Sequence, residues 1–346
     1  MSIWNELSEL FGADQQAPSS FGDVAAEEAA LESGVGMVPL LDRTQIALRG
    51  PDRISFLHNL CTNDIRRLTP GQGCEAFLLN AQGKTLAHVY VFAEEEQLVL
   101  DTVPGQGEFL LRHLDRYLIR EKVELVPILN RHDLLFAGPW TKELLKKHGV
   151  LDPPLEHCGN ARVAGGQFSL RRVDLVGPES WMIALPAGEI YRLFGNASIE
   201  LGATPCGATA FTAARIAAGV PLFGDDITDA NLPQEIGRDR QAISFTKGCY
   251  LGQETVARID ALGHVNRLLV GLRGTGESAM PCGLELRAAD GKPVGNITST
   301  AFSHRLRRPI ALGLVRRAQA APGAKLTSDV GEVEVVATPM DSAAAL

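Results

Sequence analysis

The chain has no Cys-x-x-Cys pair, no run of about 18 apolar residues, and few aromatic side chains, 6% in all. Each lack excludes a class of protein. Its cysteines, Cys61, Cys74, Cys158, Cys206, Cys249 and Cys282, are scattered, so neither a stapled secreted scaffold nor a permanent cluster site with zinc or ferredoxin spacing is expected. No metal ligand set is read from the spacing. The lack of a long apolar run argues against a membrane-spanning helix, and Met-Ser-Ile-Trp-Asn-Glu does not begin a signal peptide, so a cytoplasmic protein is expected. Cations are also in deficit. With 33 Lys and Arg against 41 Asp and Glu, a net charge of -8 and a pI near 5.6, broad binding to nucleic acid is not expected. Arg305, Arg307, Arg308, Arg316 and Arg317 form a local basic group, read as solvated charges on strand ends and loops.

At 346 residues, with 45% hydrophobic and 21% charged residues, the chain can build packed cores but exceeds the size of one. The pattern predicts an α+β protein with a final all-β, barrel-like domain. Residues 1–33 hold seven acidic side chains and no Lys or Arg, and are read as a helical segment with an internal loop. Residues 34–130 read as a first α+β unit. Its helices fall near Pro51 to Leu60 and Glu108 to Ile119, and alternating strands flank Asn80-Ala81-Gln82-Gly83-Lys84, a glycine-containing hairpin loop. Residues 131–202 form a second α+β unit, 203–266 a helix and a cysteine-containing loop, and 267–346 the all-β domain, with short segments divided by Gly and Pro.

The chemistry is densest in Thr246-Lys247-Gly248-Cys249-Tyr250-Leu251-Gly252-Gln253-Glu254-Thr255-Val256-Ala257-Arg258. Gly248 removes bulk beside the Cys249 thiol, Lys247 lies two residues away with a charge that favours thiolate, and a helix starting at Gln253 and Glu254 would act in the same sense. The expectation is a nucleophilic or oxidisable cysteine. A small buried Cys packing a tight turn fits the same residues.

Lys247 to Glu254 resembles the signature octapeptide of the YgfZ family of folate-binding proteins, relatives of the glycine-cleavage T-protein (aminomethyltransferase). Further segments follow in the family's order: Gly50 to Leu60, Thr62-Asn63-Asp64, Leu79 to Lys84, Arg215 to Gly224, Leu232 to Glu235, and Gly291 to Ser299. The resemblance implies a T-protein-like arrangement of three domains around a central folate site, the first two interwoven, with the first domain sharing part of 203–266. It implies tetrahydrofolate or a derivative as cofactor. Arg215 is then a partner for a folate carboxylate or pterin edge, and Asn63, Asp64 and Asn80 are pterin hydrogen-bonding groups, though Asn and Asp also form turns. Two departures stand out. Ala217 replaces the acidic member of the relatives' Arg-x-Glu, and Ala87 and His88 occupy the places of the transferase's Asp pair.

What the resemblance implies first is a tetrahydrofolate-binding protein that assists iron-sulfur cluster assembly or repair, with iron-sulfur client or assembly proteins as partners and no direct nucleic acid. In that reading Lys247 lowers the Cys249 pKa, Gly248 and Gly252 shape the loop, and Tyr250 closes it against a pocket. Gln253 and Glu254 order the helix start, and Arg258 pairs with an anion or with Glu254 at i,i+4 spacing. The alternatives are a folate-dependent one-carbon transferase, in which His88 does the work of the missing carboxylate, and a noncatalytic folate-binding scaffold.

Overall fold

A computed structural model describes residues 18–147, 156–163, 168–200 and 202–340. The first part of the expected N-terminal helical segment lies outside them. The fold is α+β and ends in a closed barrel.

The first sheet has the order β3-β4-β5-β2-β6, with β2 Thr44–Arg49, β3 Gly73–Leu79, β4 Thr85–Ala93, β5 Gln97–Thr102 and β6 Glu124–Pro127. One face carries Ala76, Leu78, Ala87, Val89 and Val91, covered by α2 (Arg53–Leu60) and α3 (Gly107–Asp115). The opposite face of β4 is also buried. It presents His88, Tyr90 and Phe92 in a row, with His88 packed on Phe77 of β3. Because side chains alternate along a strand, this second buried face brings polar groups into the interior.

The second sheet runs β11-β1-β7-β10-β9-β8, from β1 Gly36–Leu40, β7 Arg131–Ala137, β8 Asn160–Val163, β9 Phe168–Arg172, β10 Ser180–Pro186 and β11 Thr204–Pro205. α4 (Thr141–Lys147) and α5 (Ala187–Glu200) belong to this unit. The linear boundary at 34–130 therefore does not describe the pairing. Met37 and Val38 lie opposite Phe136 and Leu135, so the chain starts in the second sheet, crosses to build the first, and returns. A buried ionic seam joins the two sheets: Arg43 and Arg171 both engage Asp101, Gln45 donates to Asp133, and the Arg171 guanidinium lies 4.3 Å from the Phe92 ring centre.

Strands β12 Arg267–Gly274, β13 Glu285–Arg287, β14 Pro293–Ser303, β15 Arg308–Arg316, β16 Lys325–Ser328 and β17 Gly331–Val336 close the barrel in the order β12-β15-β14-β13-β16-β17. Closure removes sheet edges that would otherwise pair with other chains. The alanine-rich α6 (Ala208–Ala218) packs Ala213, Ile216 and Ala217 against Ala301, Ile310 and Leu312 of the barrel. The acidic helix α1 (Val24–Ser33) is a clamp. Glu27 accepts from Gly207 N at 2.8 Å, Glu28 accepts from His304 N at 2.7 Å, and Glu32 pairs with Arg305 at 2.5 Å. Arg305 is thus a partnered residue and not a free surface cation. No helix among the described residues is long and apolar enough to cross a membrane.

Candidate functional site

The cysteine loop is held from below by the first sheet. Leu251 N donates to Asn59 O at the end of α2 (2.9 Å), and after the short α7 (Asp239–Ala242) the next helix, α8, starts at Gln253 and runs to Leu262. Thr255 Oγ1 donates to Gln82 O at 3.0 Å, seating α8 on the Asn80 turn. Cys249 and Gly248 are exposed. A Cβ on Gly248 would meet nothing within 4 Å, so the glycine is not relieving a steric clash beside the thiol.

Lys247 does not serve the thiol as expected. Its ammonium is buried and donates to the carbonyls of His58, Cys61 (2.7 Å) and Asn63 (2.9 Å), and it lies 4.8 Å from the Tyr250 ring centre. Burial lowers the Lys247 pKa. Its charge acts on Cys61, whose thiol burial pushes up and Lys247 partly pulls back. The residue is a structural bolt because a buried ammonium with satisfied donors is stable only where acceptors converge. Tyr250 likewise packs in a core with Phe77, Leu79, Ile243 and Val256; burial pushes its phenol pKa up. Glu254 and Arg258 face solvent, and no ion pair joins them among the described residues.

The residues expected to meet folate are engaged internally. Arg215 is buried with Nη1 2.9 Å from Asp226, which also accepts from Ser299 of the barrel at 2.7 Å. It ties α6 to the barrel and turns inward, which corrects its reading as a ligand-facing cation. Asn63 Nδ2 donates to Glu75 O (2.7 Å) and Gln241 O (2.8 Å), and its Oδ1 accepts from Asp64 N (2.8 Å). Asp64 lies 3.1 Å from Arg67 and 3.3 Å from His58. Asn80 Oδ1 accepts from Gln82 N and Lys84 N at 3.0 and 2.9 Å, the behaviour of a turn former.

A second cluster was not legible in the sequence. Glu75 is fully buried on β3 and lies one step diagonal to His88, whose direct partner across the strands is Phe77. His88 Nε2 is 2.9 Å from Glu75 Oε2, Arg238 forks onto both carboxylate oxygens, and His157 Nε2 is 3.0 Å from Oε1. Burial favours the neutral acid, but bonds from His157, His88 and Arg238 hold the Glu75 pKa well below the usual range. His157 also lies 3.2 Å from Cys158 Sγ and 3.3 Å from Asp174. Burial opposes its charge, yet these acceptors push its pKa up to about 12. Ala87 and His88 do sit on β4 without a carboxylate of their own. The carboxylate beside His88 comes from the neighbouring strand, and only the hairpin register reveals that.

Two cavities touch these residues. One, lined by Arg43, His88, Tyr90, Thr102, Leu175 and Phe223, measures about 10 Å³, room for about one water and not for a pterin. The other, about 520 Å³, lies between the Asn80 turn and α3 and is lined by Gln82, Phe109, Arg112, His113, Arg116 and Tyr117. Aromatic rings and two guanidinium groups meet there.

A body of two interwoven sheets capped by a closed barrel places this chain among the glycine-cleavage T-protein-like folds. The family model for the GCVT N-terminal domain matches residues 6–247, and that for the glycine cleavage T-protein C-terminal barrel domain matches 267–343. The chain belongs to this family. It is 27% identical over 335 residues to an aminomethyltransferase of Nostoc, covering 91% of this chain and 86% of that one. It is 28% identical over 333 residues to the aminomethyltransferase of Synechocystis, covering 91% and 86%. The structure of the glycine cleavage system aminomethyltransferase T from Bartonella henselae superposes with a TM-score of 0.89 at 22% identity, covering 97% of this chain and 96% of that one.

Proposed function

We propose that the protein is a cytoplasmic, tetrahydrofolate-binding member of the family, of the YgfZ type, that supports iron-sulfur cluster assembly or repair in client proteins through Cys249. The carrying observation is the placement of an exposed thiol on a loop locked to the Asn80 turn, which borders the 520 Å³ cleft. In this reading Phe109 and Tyr117 hold the pterin, while Arg112 and Arg116 take the glutamyl carboxylates. The folate supplies one-carbon chemistry when bound. The chain's own part is to orient it and to present a thiol beyond the folded body, where a partner can reach it.

Cys249→Ser is expected to abolish client support in cells lacking the native protein while leaving folding and folate affinity intact. Full rescue by that variant sinks the thiol role. Calorimetry with tetrahydrofolate is expected to show binding that the paired Arg112→Ala and Arg116→Ala change removes; undiminished binding excludes this cleft.

A folate-dependent transferase is the second reading, favoured by the Glu75–His88 contact at 2.9 Å, which returns a carboxylate to the position that Ala87 and His88 leave without one. Turnover of an aminomethyl carrier, lost in His88→Ala, supports it.

A further inference from the structure

Glu75 stands 82 residues before the adjacent pair His157 and Cys158, yet each of the three offers a donor atom within 4.8 Å of the others. We propose that these three side chains bind a divalent transition metal of borderline softness, with zinc the ion whose ligand preferences they match. This inference does not depend on the functional reading above.

The geometry is close to that of a filled site. Bonds of about 2.0 Å to N and O and about 2.3 Å to S put tetrahedral donor atoms about 3.3–3.5 Å apart. Here Nε2 of His157 lies 3.0 Å from Glu75 Oε1 and 3.2 Å from Cys158 Sγ, while the third pair, Glu75 and Cys158, lies within 4.8 Å, so those two of the three spacings already match a filled site. The outer contacts are those of a metal centre. Asp174 stands 3.3 Å from His157 Nδ1, leaving Nε2 to the ion, and His88 and Arg238 fix the Glu75 carboxylate.

The backbone is shaped to bring Cys158 there. Cys158 takes a left-handed φ of 57°, costly for a residue with a Cβ, and is held by a 3.0 Å bond from its N–H to Arg172 O. Its carbonyl presses on β3 at Gly73, where a Cβ would come within 2.4 Å of it. The side chains of His157 and Asp174 are 33% and 26% exposed, so an ion can enter from their side. On binding, the thiol proton of Cys158 and the Nε2 proton of His157 leave to solvent and the ion's charge replaces theirs. Three protein ligands leave a tetrahedral position for an exogenous donor.

The full chain, stripped with a chelator and titrated with Co²⁺, reads this coordination directly. The expected result is one ion per chain with thiolate-to-cobalt charge-transfer absorption, displaced by Zn²⁺. Cys158→Ser removes that band, Asp174→Asn keeps it but weakens binding by about 10–100-fold, and Cys249→Ser changes neither. The absence of a band in the wild-type protein overturns the site, as does a band that disappears only with Cys249→Ser. Asp174→Asn keeps the test decisive if Cys158→Ser does not fold, since unchanged affinity in that variant also counts against the site. Tetrahydrofolate calorimetry on the same stripped protein separates the two readings: folate binding without cobalt binding ends the metal site alone.

Discussion

Gly252 lies against the carbonyl of Asn80 so closely that a Cβ on it would stand 2.5 Å from that oxygen. Its φ of 80° is left-handed as well, and it immediately precedes the first residue of α8. The cysteine loop and the Asn80 turn are therefore built to one another's surface, and the glycine is the tolerance between them.

Gly252→Ala is expected to cost about 1–3 kcal/mol from strain and the enforced shift. Gly248→Ala, with open space around it, is expected to stay within about 0.5 kcal/mol. Urea unfolding of the two variants checks the contrast. Equal losses would mean that the Asn80 contact is not what fixes the loop.

Lys247→Met removes the donors that satisfy the carbonyls of His58, Cys61 and Asn63. A loss of about 2–4 kcal/mol is expected. Since the ammonium points inward, the alkylation rate of Cys249 in the folded variant is expected to remain within about twofold of wild type. A drop of about tenfold would restore Lys247 as the activating charge.

Asp133 supplies a pH signature. Burial, then the neighbouring Asp101 charge, raises its pKa from the ordinary 3.8 to about 7, while Arg171, Arg43 and Arg131 pull the other way. With the folded value above the unfolded one, the native state holds more protons between them. This contribution to stability is fully present below pH 4 and is lost as pH rises through about 7. Across that window wild type is expected to lose a few kcal/mol relative to Asp133→Asn. Unfolding free energies measured from pH 4 to 8 test this, and parallel curves for the two proteins would refute it.

Local pattern carried a good part of the structure. Arg53–Leu60, Gly107–Asp115, Ala208–Ala218 and Gln253–Leu262 fall where apolar spacing, Pro51 and the flanking glycines place helices, and the Asn80 turn joins alternating strands. Crossed pairing was harder to see. Gly36–Leu40 falls within the first expected unit, 34–130, but it pairs with a strand about a hundred residues away, and local pattern does not specify such a partner. The loop around Cys249 stood out in the sequence, but its residues fitted a buried thiol as well as a reactive one, and the fold leaves it exposed. The inward turn of Lys247 and Arg215 was not visible there, because a cation's direction is set by the acceptors that converge on it.

The sequence by itself determined the α+β class, the all-β end and the position of the loop around Cys249, since each rests on residues near one another in the chain. Only the tertiary structure decided that Glu75, His88, His157, Cys158 and Arg238 meet. They come from a strand, its hairpin partner, a turn of the second sheet unit and a loop after α6, and no periodicity links them. A buried carboxylate is tolerable only where such distant donors surround it, so its role becomes readable once the chain has folded.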